Sequence, residues 1–176
     1  MSMIGYILRI SDGQPRALKK SRDAKLLQAV LDNSRGLESA RHPGTAELGE
    51  IPAALDLQYY WHMLHYLLCG EAYQGKEPFD TLLAGDEFGP ELSHGKARYV
   101  TARETADFSE FLSRADFESL FLRVDLDRMI ELRVYPINNG NKAEKWSDAL
   151  KPHFMALRAY IAEAARTGSG YIFWIE

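Results

Sequence analysis

The residues best suited to chemistry lie in YYWHMLHYLLCG, residues 59–70, where His62 and His65 interrupt an apolar run closed by Cys69 and Gly70. Imidazole titrates near neutral pH and ligates metals, so such a pair could serve acid–base catalysis or a metal site. At ~100° per residue on one helix, Gln58, His62, His65 and Cys69 project within roughly 60° of one another. Leu57, Tyr60, Trp61, Leu64, Leu67 and Leu68 cover the rest of the circumference. A helix of this kind is mostly buried, and its polar stripe must meet water, a hydrogen-bond partner or a ligand. The stripe could therefore be a satisfied structural network or solvent edge, the ordinary fate of such histidines. It could line a pocket, with His65 as acid or base and His62 orienting a substrate. A metal site fits less well, because His62 and Cys69 lie about 10.5 Å apart along the axis, too far to converge on one ion. A third ligand from His94, His153 or Glu91 would be needed, and the spacing is not that of a metalloprotease. No metal and no other cofactor is expected.

A second stretch, GPELSHGKA, resembles a phosphate loop only superficially, because Pro90 and Ala97 occupy positions that need glycine and a hydroxyl residue. Its Lys96 and Arg98 could still present donors to an anion from a glycine-rich turn. The competing reading is a structural turn with Arg98 in a salt bridge. Ser93 and His94 are adjacent and lack the surroundings of a nucleophile elbow. Asp125 and Asp127 read as solvated or capping groups. Candidate ligand-binding residues are thus Gln58, Trp61, Lys96 and Arg98, and the candidate catalytic pair is His62 and His65.

These groups need a scaffold. Residues 3–10 alternate, with Ile4, Tyr6, Leu8 and Ile10 on one side, which predicts a strand. Leu18, Lys25, Leu26, Ala29 and Val30 predict a helix over about 16–33, and residues 36–52 predict a long connection. Asp56 is placed to cap the histidine helix and Gly70 to end it in the left-handed conformation. Residues 78–85 suggest a short helix with Pro at its start, residues 85–95 a loop, and ARYVT a strand. Thr101 and Glu104 form a capping box opening a helix to about residue 115, and Asp116 starts another. Residues 126–136 fit either helix or strand, and residues 137–146 a polar loop. Leu150, Phe154, Leu157 and Ile161 predict a helix toward Gly168, with Pro152 in its first turn, before the terminal strand YIFWIE. Strands at both ends with helices between predict a single α+β domain over residues 1–176, the terminal strands sharing one small sheet.

The 176 residues, 46% hydrophobic, suffice for one core, and a net charge of −4 disfavours a nucleic-acid partner. The basic cluster from Arg16 to Arg22 reads as a solvated helix face. One cysteine precludes an internal disulfide, and the longest apolar runs fall short of a membrane span, so a cytoplasmic protein off the membrane is expected.

The start MSMIGYILRIS, the segments WHMLHYLLCG and LLAGDEFGPELSHGKARYVT, the pair Tyr135–Pro136 and the closing helix and strand together resemble the YfbM-like family of small bacterial proteins. Trp61, His62, His65, Leu67, Leu68, Gly70, Gly95, Ala97 and Arg98 carry the resemblance most specifically. It implies a small α+β cytoplasmic domain without known activity, and it supplies no catalytic residues. The chain departs from the family at SHG, where an aromatic would precede the glycine, and at Cys69, where a small hydroxyl residue is common. The expected function is a ligand-binding or protein-interaction module, its partner a small molecule or protein, with a cleft beside the histidine helix. The alternative is an enzyme on a small polar or anionic substrate, with Arg98 holding the anion.

Overall fold

The computed structural model describes residues 2–11, 13–14, 17–18, 24–37, 42–137 and 144–176. Its centre is a five-stranded antiparallel sheet of β1 (Gly5–Ile10), β2 (Leu55–Gln58), β3 (Asp86–Leu92), β4 (Gly95–Val100) and β5 (Gly170–Ile175), ordered β2-β1-β5-β4-β3. The first and last strands are central neighbours, in register from Gly5 against Ile175 to Ile10 against Gly170.

The alternation of β1 divides its side chains between two cores. Leu8 and Ile10 join Ile172, Trp174 and Ala97 beneath helix α1 (Ala24–Ser34), which contributes Leu26, Leu27, Val30 and Leu31. Ile7 faces the other way, with Val100, Tyr171 and Phe173, into a larger core beneath α2 (Trp61–Cys69), α3 (Ala102–Arg114), α4 (Phe117–Phe121), α5 (Leu126–Glu131) and α6 (Glu144–Arg166). The architecture is α+β, with helices on both faces of the sheet.

Local signals place several helix ends. Thr101 and Glu104 make the reciprocal capping box, and Asp116 and Asp125 cap α4 and α5 by accepting from Ser119 and Arg128 N–H. Residues 126–136 therefore begin as helix, and Asp125 is a cap. Gly70 ends α2 with φ 77°, its N–H donating to Tyr66 O.

Other expectations need correction. Asp56 does not cap α2: it lies in β2, where its Oδ1 accepts from Gln58 N–H at 2.7 Å as the strand turns out through Gln58 at φ 50°. Residues 85–95 are not a loop but most of a β-hairpin, whose irregular register between Phe88 and Glu91 admits the Gly-Pro pair. Residues 78–84 are successive turns rather than a helix. Their N–H groups reach back three residues, and buried Tyr171 Oη pins the segment by donating to Thr81 O at 2.5 Å. Helix α6 starts at Glu144, so Pro152 falls inside it. Pro152 and Asp148 are exposed, so the carbonyl left without an N–H partner is on the solvent side. The basic cluster at 16–22 and the polar loop at 137–146 lie largely outside the described residues, and of the first predicted helix only the part from Ala24 is a described continuous helix.

Helix α2 approaches the sheet closely at one point. A Cβ on Gly5 would sit 2.6 Å from both Cβ and Cγ of Trp61. Gly5→Ala is therefore expected to destabilise the fold by about 2 kcal/mol in urea denaturation. Unchanged stability would show that α2 can lift off β1 freely.

Candidate functional site

Every residue from Trp61 to Leu68 is buried, as an all-round apolar helix requires, and both histidines are 0% exposed. Gln58 is not on this helix: it ends β2 and is exposed, so the stripe reduces to His62, His65 and Cys69.

His62 is satisfied at both ring nitrogens by backbone. Its Nε2 lies 2.6 Å from Ala72 O, and Tyr135 N–H donates to its Nδ1 at 2.9 Å. The pair of contacts requires the tautomer with the proton on Nε2, donating to Ala72. Trp61 stacks on the ring at 4.7 Å and 4°, and burial lowers the His62 pKa against a smaller opposing effect of the Ala72 bond. The imidazole works as a neutral clamp between the chain after α2 and residue 135.

His65 Nε2 contacts Cys69 Sγ at 3.3 Å, one turn along, while its Nδ1 is buried without a partner among the described residues. Burial, then the proximity of His62, pushes the His65 pKa down to about 4. Burial pushes the Cys69 thiol up to about 11, so the pair is neutral imidazole beside neutral thiol near pH 7. Among the described residues no three His, Cys, Asp or Glu side chains are grouped closely enough to hold a metal.

The other expected residues meet elsewhere. Strand β4 starts at Gly95, yet its register with β5 runs only from Arg98 to Val100, so the two strands part beyond Arg98 and Phe173. At this fork opens a cleft of about 400 Å³, lined by Lys96 and Arg98 from β4, Phe173 and Ile175 from β5, and Trp61 from α2. Tyr73, Asp80, Glu87 and His94 also line it. The structure thus brings Trp61, Lys96 and Arg98 together and leaves Gln58, His62 and His65 out of the lining.

Arg98 is half-buried, and among the described residues no carboxylate pairs with it. Its Nη1 instead donates to Gly85 O at 3.2 Å. Gly85 must be glycine there, because φ is 91° and a Cβ would fall 2.3 Å from Tyr99 O. Lys96 lies 3.5 Å from Glu87 with both side chains well exposed, a weak pairing. Trp61 is fixed by its indole N–H, which donates to Met3 O at 3.2 Å. Of the remaining lining, Tyr73 and Asp80 come from irregular turns with no motif to mark them. Phe173 in its aromatic strand reads as plain core packing.

A family model described as "Domain of unknown function (DUF1877)" matches residues 1–174. No curated protein matches the chain. Among solved structures, YfbM from Escherichia coli, a protein of unknown function, is similar over 98% of this chain and 99% of its own, with a TM-score of 0.65 and 18% identity. At that identity the likeness bears on the fold alone. No helix among the described residues is long and apolar enough to cross a membrane.

Proposed function

The chain belongs to the DUF1877 family, whose function is unknown, and on that premise we propose that it is a ligand-binding module whose site is the cleft at the β4–β5 fork. The observation that carries this reading is Arg98: a half-buried guanidinium, held in place by the Gly85 carbonyl, with no carboxylate partner among the described residues. Glu87, the register partner of Arg98 across the hairpin, and Asp80 line the same cleft without forming an ion pair with it, and a ligand carboxylate or phosphate would supply that pairing in the bidentate geometry that guanidinium favours. Trp61, Tyr73 and Phe173 give the same cleft apolar surface for the rest of a small molecule, and about 400 Å³ is within the usual range for such sites. Lys96, more exposed and weakly paired with Glu87, is the second cation of the lining.

Binding is preferred to catalysis because neither histidine belongs to the cleft lining. His62 is occupied by backbone groups, and His65 is fully buried against Cys69. The enzyme alternative would need His65 to reach a substrate on Arg98, and no observation favours that.

A panel of small carboxylates and phosphates should contain compounds that raise the melting temperature, since a ligand selective for the folded state stabilises it. Arg98→Met should weaken binding of such a compound at least about tenfold by calorimetry, whereas His65→Gln should leave it within about twofold. Equal affinity for Arg98→Met, or a panel in which no anion raises the melting temperature, would count against the assignment.

A further inference from the structure

The turns at residues 77–84 wall the Arg98 cleft on one side and a larger hollow on the other, with Ala84 lining both. This second hollow, about 590 Å³, opens between those turns and α3. Its charge is opposite to that of Arg98. Glu104, Asp107 and Glu110 recur every third residue and so share one side of α3, and Glu77 stands on the turn segment. Among the described residues Arg114 is the one cation in the lining and is paired with Glu110, while Glu104 Oε2 is held by Thr101 in the capping box. Glu77 and Asp107 are left, both exposed and with carboxylates that make no hydrogen bond or ion pair among the described residues.

Two further features distinguish the hollow from an ordinary acidic surface. Phe79 and Phe111 meet edge to face at 4.8 Å and 86°, and Phe79 stays 37% exposed, so aromatic surface lies among the carboxylates. Thr81 is only 3% exposed and lines the hollow, and its hydroxyl has no partner among the described residues. Its carbonyl, by contrast, is anchored by Tyr171 Oη. A donor within the hollow would give this hydroxyl the partner that the fold does not supply.

We propose that this hollow binds a small organic cation of the alkylammonium class, such as a polyamine. Ammonium N–H groups would donate to Glu77, Asp107 and the Thr81 hydroxyl, and the methylenes next to the ammonium nitrogens would lie against the phenyl rings, whose faces attract cations. A divalent metal ion suits the hollow poorly. It needs several oxygens converging at about 2.0–2.6 Å, and no group of three metal-ligating side chains among the described residues offers this. The space is also much larger than an ion, and phenyl rings offer no oxygen ligand to a hard cation.

Calorimetric titration with spermidine at fixed ionic strength tests it, with Mg²⁺ as the charge control. One saturable site is expected, weakened at least about tenfold by Glu77→Gln and by Asp107→Asn, and several-fold by Phe79→Leu. These positions are exposed, so the variants should keep the parent melting temperature within a few degrees. Arg98→Met, in the other cleft, and Asp127→Asn, a carboxylate outside the hollow, should leave the affinity unchanged. The proposal is overturned if spermidine shows no saturable site. It is equally overturned if Asp127→Asn weakens binding as much as Asp107→Asn, or if Mg²⁺ displaces spermidine at equal charge, since either would mean diffuse electrostatic attraction.

Discussion

Replacing His62 with alanine is expected to lower the stability of the fold by about 4 kcal/mol, the largest effect of any substitution considered for this chain. Two independent losses add. The imidazole is 0% exposed and packs between Trp61 and Tyr73, each ring centroid 4.7 Å away, so truncation opens a cavity in the core. It also abandons the Tyr135 N–H and the Ala72 carbonyl, both of which it holds within 3 Å. A buried peptide group deprived of its partner is unfavourable by about 1–3 kcal/mol, comparable to the packing loss. Guanidinium denaturation of the parent, His62→Ala and His62→Phe would separate the two, since phenylalanine restores most of the volume and none of the hydrogen bonds. A combined loss below about 1 kcal/mol for His62→Ala would mean that the loop at residues 70–76 and the turn at Tyr135 are held by something else.

Acid should begin to destabilise the protein as the pH falls below about 6.5. His65 has its pKa lowered from 6.5 to about 4 in the folded state, first by burial and then by His62. The unfolded chain therefore binds the proton more readily than the folded one between these values, and unfolding gains as pH falls. The stabilising contribution is complete above pH 6.5 and is lost progressively down to about pH 4. At ~1.4 kcal/mol per pH unit this amounts to about 3 kcal/mol. His62, also lowered by burial, acts in the same direction, whereas the raised Cys69 thiol stays protonated throughout. Asp116, held low by the Ser119 N–H, and Glu163, held low by Arg166, lose their contributions only as pH falls through the carboxylate range below. Denaturation curves at pH 7, 5.5 and 4.5 should thus show a steep decline in the parent and a shallower one in His65→Leu. Parallel declines in the two proteins would assign the acid sensitivity to other groups.

The features that were legible in the sequence are those whose partners lie within a turn or two. The Thr101–Glu104 box, the Asp116 and Asp125 caps and the left-handed Gly70 are closed by hydrogen bonds spanning no more than four residues. Asp56 misled for a related reason: its side chain does make a short local bond, to Gln58 N–H, but at the end of a strand. The β3–β4 hairpin was hidden because Gly89 and Pro90, which read as loop, sit where the strand pairing is irregular. Residues 78–84 have the composition of a short helix, yet their turns are tied to a residue ninety positions away, through Tyr171 Oη and Thr81 O.

By itself the sequence determined that β1 would send alternate side chains to opposite faces, that α2 would be buried nearly all round, and that the chain would be an α+β domain with its ends in one sheet. Periodicity and capping express these properties within a few residues. Only the tertiary structure decided what the polar groups meet. His62 found the backbone of Ala72 and of Tyr135, seventy-three residues away, rather than a substrate. Arg98 came to rest against a carbonyl at an open fork rather than in an ion pair. A histidine or arginine carries the same chemistry in either setting. Whether it is satisfied or available depends on groups brought near it by packing, and no local pattern records them.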